Sequence, residues 1–315
     1  MSTERLRISA VVCTRNRVDF LVEALRSLRG QTLDPEWFEI LVVDNHSHDG
    51  TADLVWGLAE KQPNLRYLFE PELGLSHARN LGWRTARAPF VAYLDDDAVA
   101  APDWLEKILL AFDQVLPTPG CVCGRVVPIW GKDRPVWLND TLGRYYSILE
   151  RSDPPGWLTD NAFCGANMAF PSALLARLGG FDTELGRRGA NLLSNEELLM
   201  SKRLRASGLA IYYDPTIGVR HHIPAARLTR GWIIRRVYWQ GVSNAIVWRR
   251  LEAADTTRRL KAGVRSLQSI LSLAGRLTRT LVSRDANHVF DTALRLVGRG
   301  GYLVGLLAPG RARAR

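Results

Sequence analysis

The sequence predicts an α/β protein: a mostly parallel sheet flanked by helices, followed by a helical, basic C-terminal appendage. Three observations predict it. Short apolar, β-rich runs alternate with amphipathic helical segments from Ile8 to Leu94. Acidic residues stand directly after two of those runs, at Asp44 and at Asp95-Asp96-Asp97. Charge is also partitioned along the chain. Residues 225–315 carry 18 Lys+Arg against 4 Asp+Glu, whereas residues 1–224 carry 24 against 28.

Ile8–Cys13 reads as a buried parallel strand. Leu21, Ala24, Leu25 and Leu28 mark a helix over Asp19–Leu28, and Phe38–Val43 is a second strand ending at Asp44. A helix over Thr51–Lys61 starts at the capping sequence Asp49-Gly50-Thr51. A strand at Leu65–Phe69 and a helix near Ser76–Thr85 lead to the strand Phe90–Leu94, which runs straight into Asp95. This βαβαβαβ order implies parallel strands with helices on both faces, and ligands bind such sheets beyond the strands' carboxyl ends. Asp44 and Asp95–Asp97 therefore meet at one crevice. Beyond Pro117, strand-like pieces (Cys121–Ile129, Ala162–Phe170, Tyr212–Pro215, Ile217–His222) mix with a helix at Glu196–Arg205.

Three adjacent carboxylates repel one another, and a divalent cation relieves that repulsion. Hard oxygen ligands favour Mg²⁺ or Mn²⁺, with Asp95 and Asp97 converging on the ion; a solvated acidic turn is the alternative. Cys13, Cys121, Cys123 and Cys164 form no zinc-ligand spacing and read as buried small hydrophobes.

Val11–Arg17, Val42–Thr51, Ala78–Gly82 and Tyr93–Asp97 together resemble the family 2 glycosyltransferases, over roughly residues 8–224. The resemblance implies the GT-A fold and an inverting transfer from a nucleotide-diphosphate sugar, UDP-sugar favoured, in polysaccharide, glycolipid or cell-envelope glycan synthesis. By it, Thr14, Asn16, Arg17, Asp44, Asn45, Arg79, Asp95 and Asp96 line the nucleotide-sugar site, Asp44 accepting from a uracil-type imide N–H. Gly165, Ala166 and Asn167 would floor the donor and acceptor pocket. Asp95, Asp97 and His221 would hold the metal. Glu197, where the family usually has aspartate, would be the general base, with Glu196 as the supporting or alternate carboxylate. Gly179–Asp182 resembles the turn before an acceptor loop at Leu185–Ser194.

The expected domains are a catalytic 1–224, with a nucleotide-sugar half to about 115 and an acceptor half over 116–224, and a basic tail at 225–315. Val264, Leu267, Leu271, Ala274, Leu277 and Leu281 recur at helical spacing in that tail, with Arg265, Arg276 and Arg279 on other faces. Trp232, Tyr238, Trp239 and Trp248, beside Arg235, Arg236, Arg249 and Arg250, fit an interfacial belt. The readings are an anionic membrane surface, with a glycan or lipid-linked acceptor, or a packed helical appendage; no nucleic-acid motif occurs. No run reaches about 18 apolar residues, so the expected place is the cytoplasm, on the inner membrane face. A catalytically inactive nucleotide-binding or scaffold module of the same fold is the competing reading. A dinucleotide oxidoreductase is disfavoured because Cys13–Arg17 lacks G-x-G-x-x-G.

Overall fold

In a computed structural model, which describes residues 5–151, 154–159, 163–252, 255–283 and 286–308, the elements follow the predicted alternation. They are β1 (Ile8–Thr14), α1 (Val18–Arg29), β2 (Phe38–Asp44), α2 (Thr51–Ala59), β3 (Leu65–Phe69), α3 (Leu75–Thr85) and β4 (Phe90–Asp95). All seven residues of β2 are buried, because helices cover both faces of the strand. Asp49 serves two helix starts: its Oδ2 accepts from the Val18 N–H (2.9 Å) at α1, and its Oδ1 accepts from the Thr51 hydroxyl (2.6 Å) at α2.

The second half adds β5 (Ala98–Ala100), α4 (Trp104–Gln114), β6 (Cys121–Trp130), α5 (Asp140–Gly143), β7 (Gly156–Trp157), β8 (Asn167–Pro171), α6 (Ser172–Leu178), α7 (Glu196–Ala206) and β9 (Ile211–Ile223). Among the described residues these strands form one nine-stranded sheet in the order β3-β2-β1-β4-β8-β6-β9-β5, with β7 on β9. The first four strands in that order are parallel, and β8 runs against both β4 and β6. The sheet is thus mostly parallel and mixed beyond β4, as in a GT-A fold. Residues 160–162, including the expected strand start at Ala162, lie outside the described residues.

One expectation is corrected here. Tyr212–Pro215 and Ile217–His222 are one continuous strand, β9, because β6 pairs along its length with a register shift at Gly124/Val126. A Cβ at Gly124 would run into the Ile217 carbonyl, so glycine lets the two strands close at that shift. His221 and His222 therefore sit near the end of this one long strand.

The described residues divide into two compact units. One comprises Met1–Gly131, Tyr146–Thr183 and Glu197–Ile223, with the core on both faces of the sheet; the other comprises Lys132–Tyr145, Glu184–Glu196 and Pro224–Arg315. The second unit holds α8 (Arg230–Leu251), α9 (Thr256–Ser283) and α10 (Ala286–Leu307). Thr229 caps α8 by accepting from the Trp232 N–H. Two cations at the end of α8 have partners within this unit. Arg249 donates to the carbonyls of Gly305 and Ala308 at the end of α10, and Arg250 pairs with Glu184 at 3.0 Å. Glycines let α8 and α10 approach closely: a Cβ at Gly301 would run into the Tyr238 carbonyl, and one at Gly241 into that of Gly298. Gly301→Ala is therefore expected to destabilise the fold by about 1–3 kcal/mol, read as a lower urea midpoint.

Candidate active site

Strand register sets the site. Thr14 pairs with Asp44 across β1 and β2, and Cys13 pairs with Asp95 across β1 and β4. Three strand ends thus deliver their last side chains at one level. Asp44 is buried there; its Oδ1 accepts from the Ser47 N–H (2.8 Å) and its Oδ2 from the Tyr67 hydroxyl (2.9 Å). Burial, reinforced by the Asp44 carboxylate, pushes the Tyr67 hydroxyl upward, so it stays protonated and donates. Tyr67 escapes sequence reasoning, since a tyrosine in a strand announces no partner.

The acidic cluster is tightly bonded. Arg17 donates from Nη1 to Asp96 Oδ1 and from Nη2 to Asp97 Oδ2, both at 2.6 Å. Thr14 Oγ1 donates to Asp96 Oδ2 (2.9 Å). Arg79, itself buried, reaches Asp95 Oδ1 at 3.4 Å and lies over the rings of Phe181 and Tyr93. A guanidinium that bridges two buried carboxylates offsets part of their repulsion and desolvation. Burial still pushes the Asp96 carboxyl from 3.8 up to about 6, against the pull of Arg17. A carboxyl with a raised folded value stabilises the fold below about pH 4, and that contribution is lost as pH climbs through about 6. Asp96→Asn is accordingly expected to remove a decline in Tm across this window, measured with chelator present.

The three residues nominated as metal ligands converge. The pairing of β5 with β9 sets Ala98 opposite His221, which brings His221 Nε2 to 3.0 Å from Asp97 Oδ1. One ligand atom each from Asp95, Asp97 and His221 lies within 4.8 Å of the others. Ligands about 2.1 Å from a shared ion are at most about 4.2 Å apart, so a small side-chain adjustment suffices. The buried Nδ1 of His221, on the other side of the ring, has no hydrogen-bond partner among the described residues. Two carboxylates and one imidazole suit a divalent cation such as Mn²⁺.

On the neighbouring elements, α7 starts at Glu196, directly after Asn195 in left-handed conformation (φ 74°). Glu196 is buried, while Glu197 is partly exposed with its buried Oε2 unpartnered among the described residues. Burial first, then the Asp95 and Glu197 carboxylates, push the Cys164 thiol up to about 12. That thiol senses both acids, so Glu197 and the cluster share one neighbourhood. Cys13 is partly exposed and the other three cysteines are buried; none of the four is in a disulfide.

Other nominated residues prove to be engaged by the fold. Asn45 donates to the carbonyls of Glu70 and Glu72 and accepts from the Gly74 N–H. Asn16 Oδ1 accepts from the His48 N–H. Asn167 accepts from Trp104 Nε1 and donates to the Arg125 and Ile217 carbonyls, so its amide rivets β8 to its surroundings. Ala166 is fully buried, and Gly165 lets the Arg79 guanidinium lie against the backbone, where a Cβ would collide with Arg79 Nη2.

The family model described as Glycosyl transferase family 2 matches residues 9–173, more than half of the chain. The chain belongs to this family. This family 2 glycosyltransferase is 25% identical over 245 residues to the glucosyl-dolichyl phosphate glucuronosyltransferase of Haloferax volcanii, covering 77% of each chain. It is 29% identical over 251 residues to the succinoglycan biosynthesis protein ExoM of Rhizobium meliloti, covering 76% of this chain and 75% of that one. Against the validoxylamine A glucosyltransferase of Streptomyces hygroscopicus subsp. limoneus, identity is 31% over 229 residues, 64% of this chain and 48% of that one. Its fold is similar to a Pyrobaculum calidifontis mannosyltransferase in complex with GDP-Man and Mn²⁺, with TM-score 0.62 and 23% identity, covering 96% of this chain and 86% of the other. Staphylococcus aureus TarS 1–349 is also similar, with TM-score 0.53 and 17% identity, covering 96% of this chain and 90% of the other. The matched segment of the glycosyltransferase contains Thr14, Asp44, Arg79, Asp95–Asp97 and Gly165–Asn167; Glu196, Glu197 and His221 lie beyond it.

Proposed function

We propose that this glycosyltransferase moves a sugar from a nucleotide-diphosphate donor, a UDP-sugar by preference, to an acceptor hydroxyl with inversion at the anomeric carbon. Catalysis is assigned to residues 1–224 and an appendage role to 225–315. The observation that carries the reading is the convergence of Asp95, Asp97 and His221 at the strand ends, with Glu197 in the same neighbourhood.

Asp95, Asp97 and His221 would hold a divalent cation, Mn²⁺ or Mg²⁺, which would supply charge neutralisation for the diphosphate leaving group. Arg17 and Arg79, already at the cluster, add guanidinium donors for phosphate oxygens. Asp44 accepts the imide N–H of the base; each of its oxygens accepts one hydrogen bond within the fold and keeps a second lone pair. Glu197 takes the proton from the acceptor hydroxyl as that oxygen attacks the face opposite the leaving group. Glu196 supports it. A glycan or lipid-linked acceptor is favoured by the relatives named for a dolichyl phosphate glycan and for succinoglycan.

A thermal-shift panel of UDP-, GDP- and dTDP-sugars, with and without Mn²⁺, tests the reading. The expected result is a rise in Tm that requires both nucleotide and metal and is largest for the UDP series. A GDP preference would overturn the base assignment, and no metal-dependent rise with any donor would overturn the reading itself. Nucleotide binding without transfer or donor hydrolysis would favour a catalytically inactive module.

A further inference from the structure

We propose that the outward face of α9 docks on an anionic lipid bilayer, lying in the headgroup region without crossing it. Four aliphatic side chains on this helix face solvent: Leu260, Val264, Leu267 and Leu271 are 63%, 54%, 48% and 73% exposed. Their spacing places them on one stripe of about 60°. The opposite side packs inward, where Ser266 is buried and donates to the Arg299 carbonyl of α10. The outward stripe is therefore no part of the core. Leu281, the last member of the apolar series, lies outside the residues whose side chains are described.

The flank of the stripe identifies the partner. Lys261, Arg265, Arg276 and Arg279 are exposed and lie about 60–120° round the helix from Val264. Helix α9 carries six basic residues and no acidic one, in a segment of net charge +14 over residues 225–315. An aliphatic strip edged by cations matches the boundary between acyl chains and anionic headgroups. A second copy packed along the same strip would set one basic flank beside another with no carboxylate on the helix to compensate. Nucleic acid would gain nothing from exposed leucines. Among the described residues no helix is long and apolar enough to cross a membrane, so the helix rests on the surface.

Co-sedimentation of the full chain with vesicles of phosphatidylcholine alone, or of phosphatidylcholine with phosphatidylglycerol, tests this. Binding is expected only with phosphatidylglycerol, weakening as salt rises. Val264→Asp/Leu271→Asp and Lys261→Gln/Arg265→Gln are each expected to weaken it about tenfold or more. Both double variants change exposed side chains, so circular dichroism and Tm should stay as in the parent. Unchanged sedimentation of both variants, or equal binding to phosphatidylcholine alone, would overturn the proposal. So would a dimer, seen by light scattering, that Val264→Asp/Leu271→Asp dissolves, or a gel shift of nucleic acid lost in the same variant. None of these outcomes depends on donor chemistry.

Discussion

Asp97→Asn is expected to lower kcat by about 10³-fold or more, and to abolish the metal-dependent part of donor binding. The side chain is 3% exposed and stands between Arg17 Nη2 and His221 Nε2. Asparagine keeps the shape and one carbonyl oxygen but removes the charge that a cation requires. Stability falls as well, since the Arg17 bridge then rests on Asp96 alone. Two measurements separate these effects. Circular dichroism of the variant should match the parent, while Mn²⁺ with nucleotide should no longer raise its Tm. A purely structural aspartate would also lower the starting Tm but would leave the ligand-induced rise intact.

Glu197→Gln should reduce kcat by about 10²- to 10⁴-fold with donor affinity unchanged. The amide fills the same space and cannot take the acceptor's proton. Glu197, whose buried Oε2 has no hydrogen-bond partner among the described residues, is the partly exposed acid of the pair, whereas Glu196 is buried. Glu197→Asp restores a carboxylate and is expected to recover most of the loss, because the family usually carries the shorter acid at this position. Single-turnover kinetics with saturating donor would check both variants. If Glu196→Gln caused the larger loss, the base assignment would move to Glu196.

The parallel half of the sheet was legible because strands covered on both faces are continuous apolar runs. Leu65–Phe69 agrees residue for residue with β3, and Phe90–Leu94 lies within β4. The mixed half was harder to read. Neither α4 nor α6 was assigned, and β9 was read as two pieces at Pro215, although its pairing partners carry the strand through. Such pairing is a long-range property that no local window contains. The same division holds at the site. Asp44 and Asp95–Asp97 announce themselves by following strands. The bridge of Arg17 to two of those acids and the Tyr67 hydroxyl on Asp44 depend on side chains packed from separate elements. The hydrogen bond from Trp104 to the Asn167 carbonyl is of the same kind, joining side chains of two separate elements.

Anomalous diffraction at the manganese edge, from crystals grown with Mn²⁺ and UDP, tests the central claim most directly. The account predicts one manganese peak bonded by Asp95, Asp97 and His221, with the diphosphate on its open side. No peak there, with Asp97 still bridged to Arg17 while UDP occupies the strand ends, would contradict it.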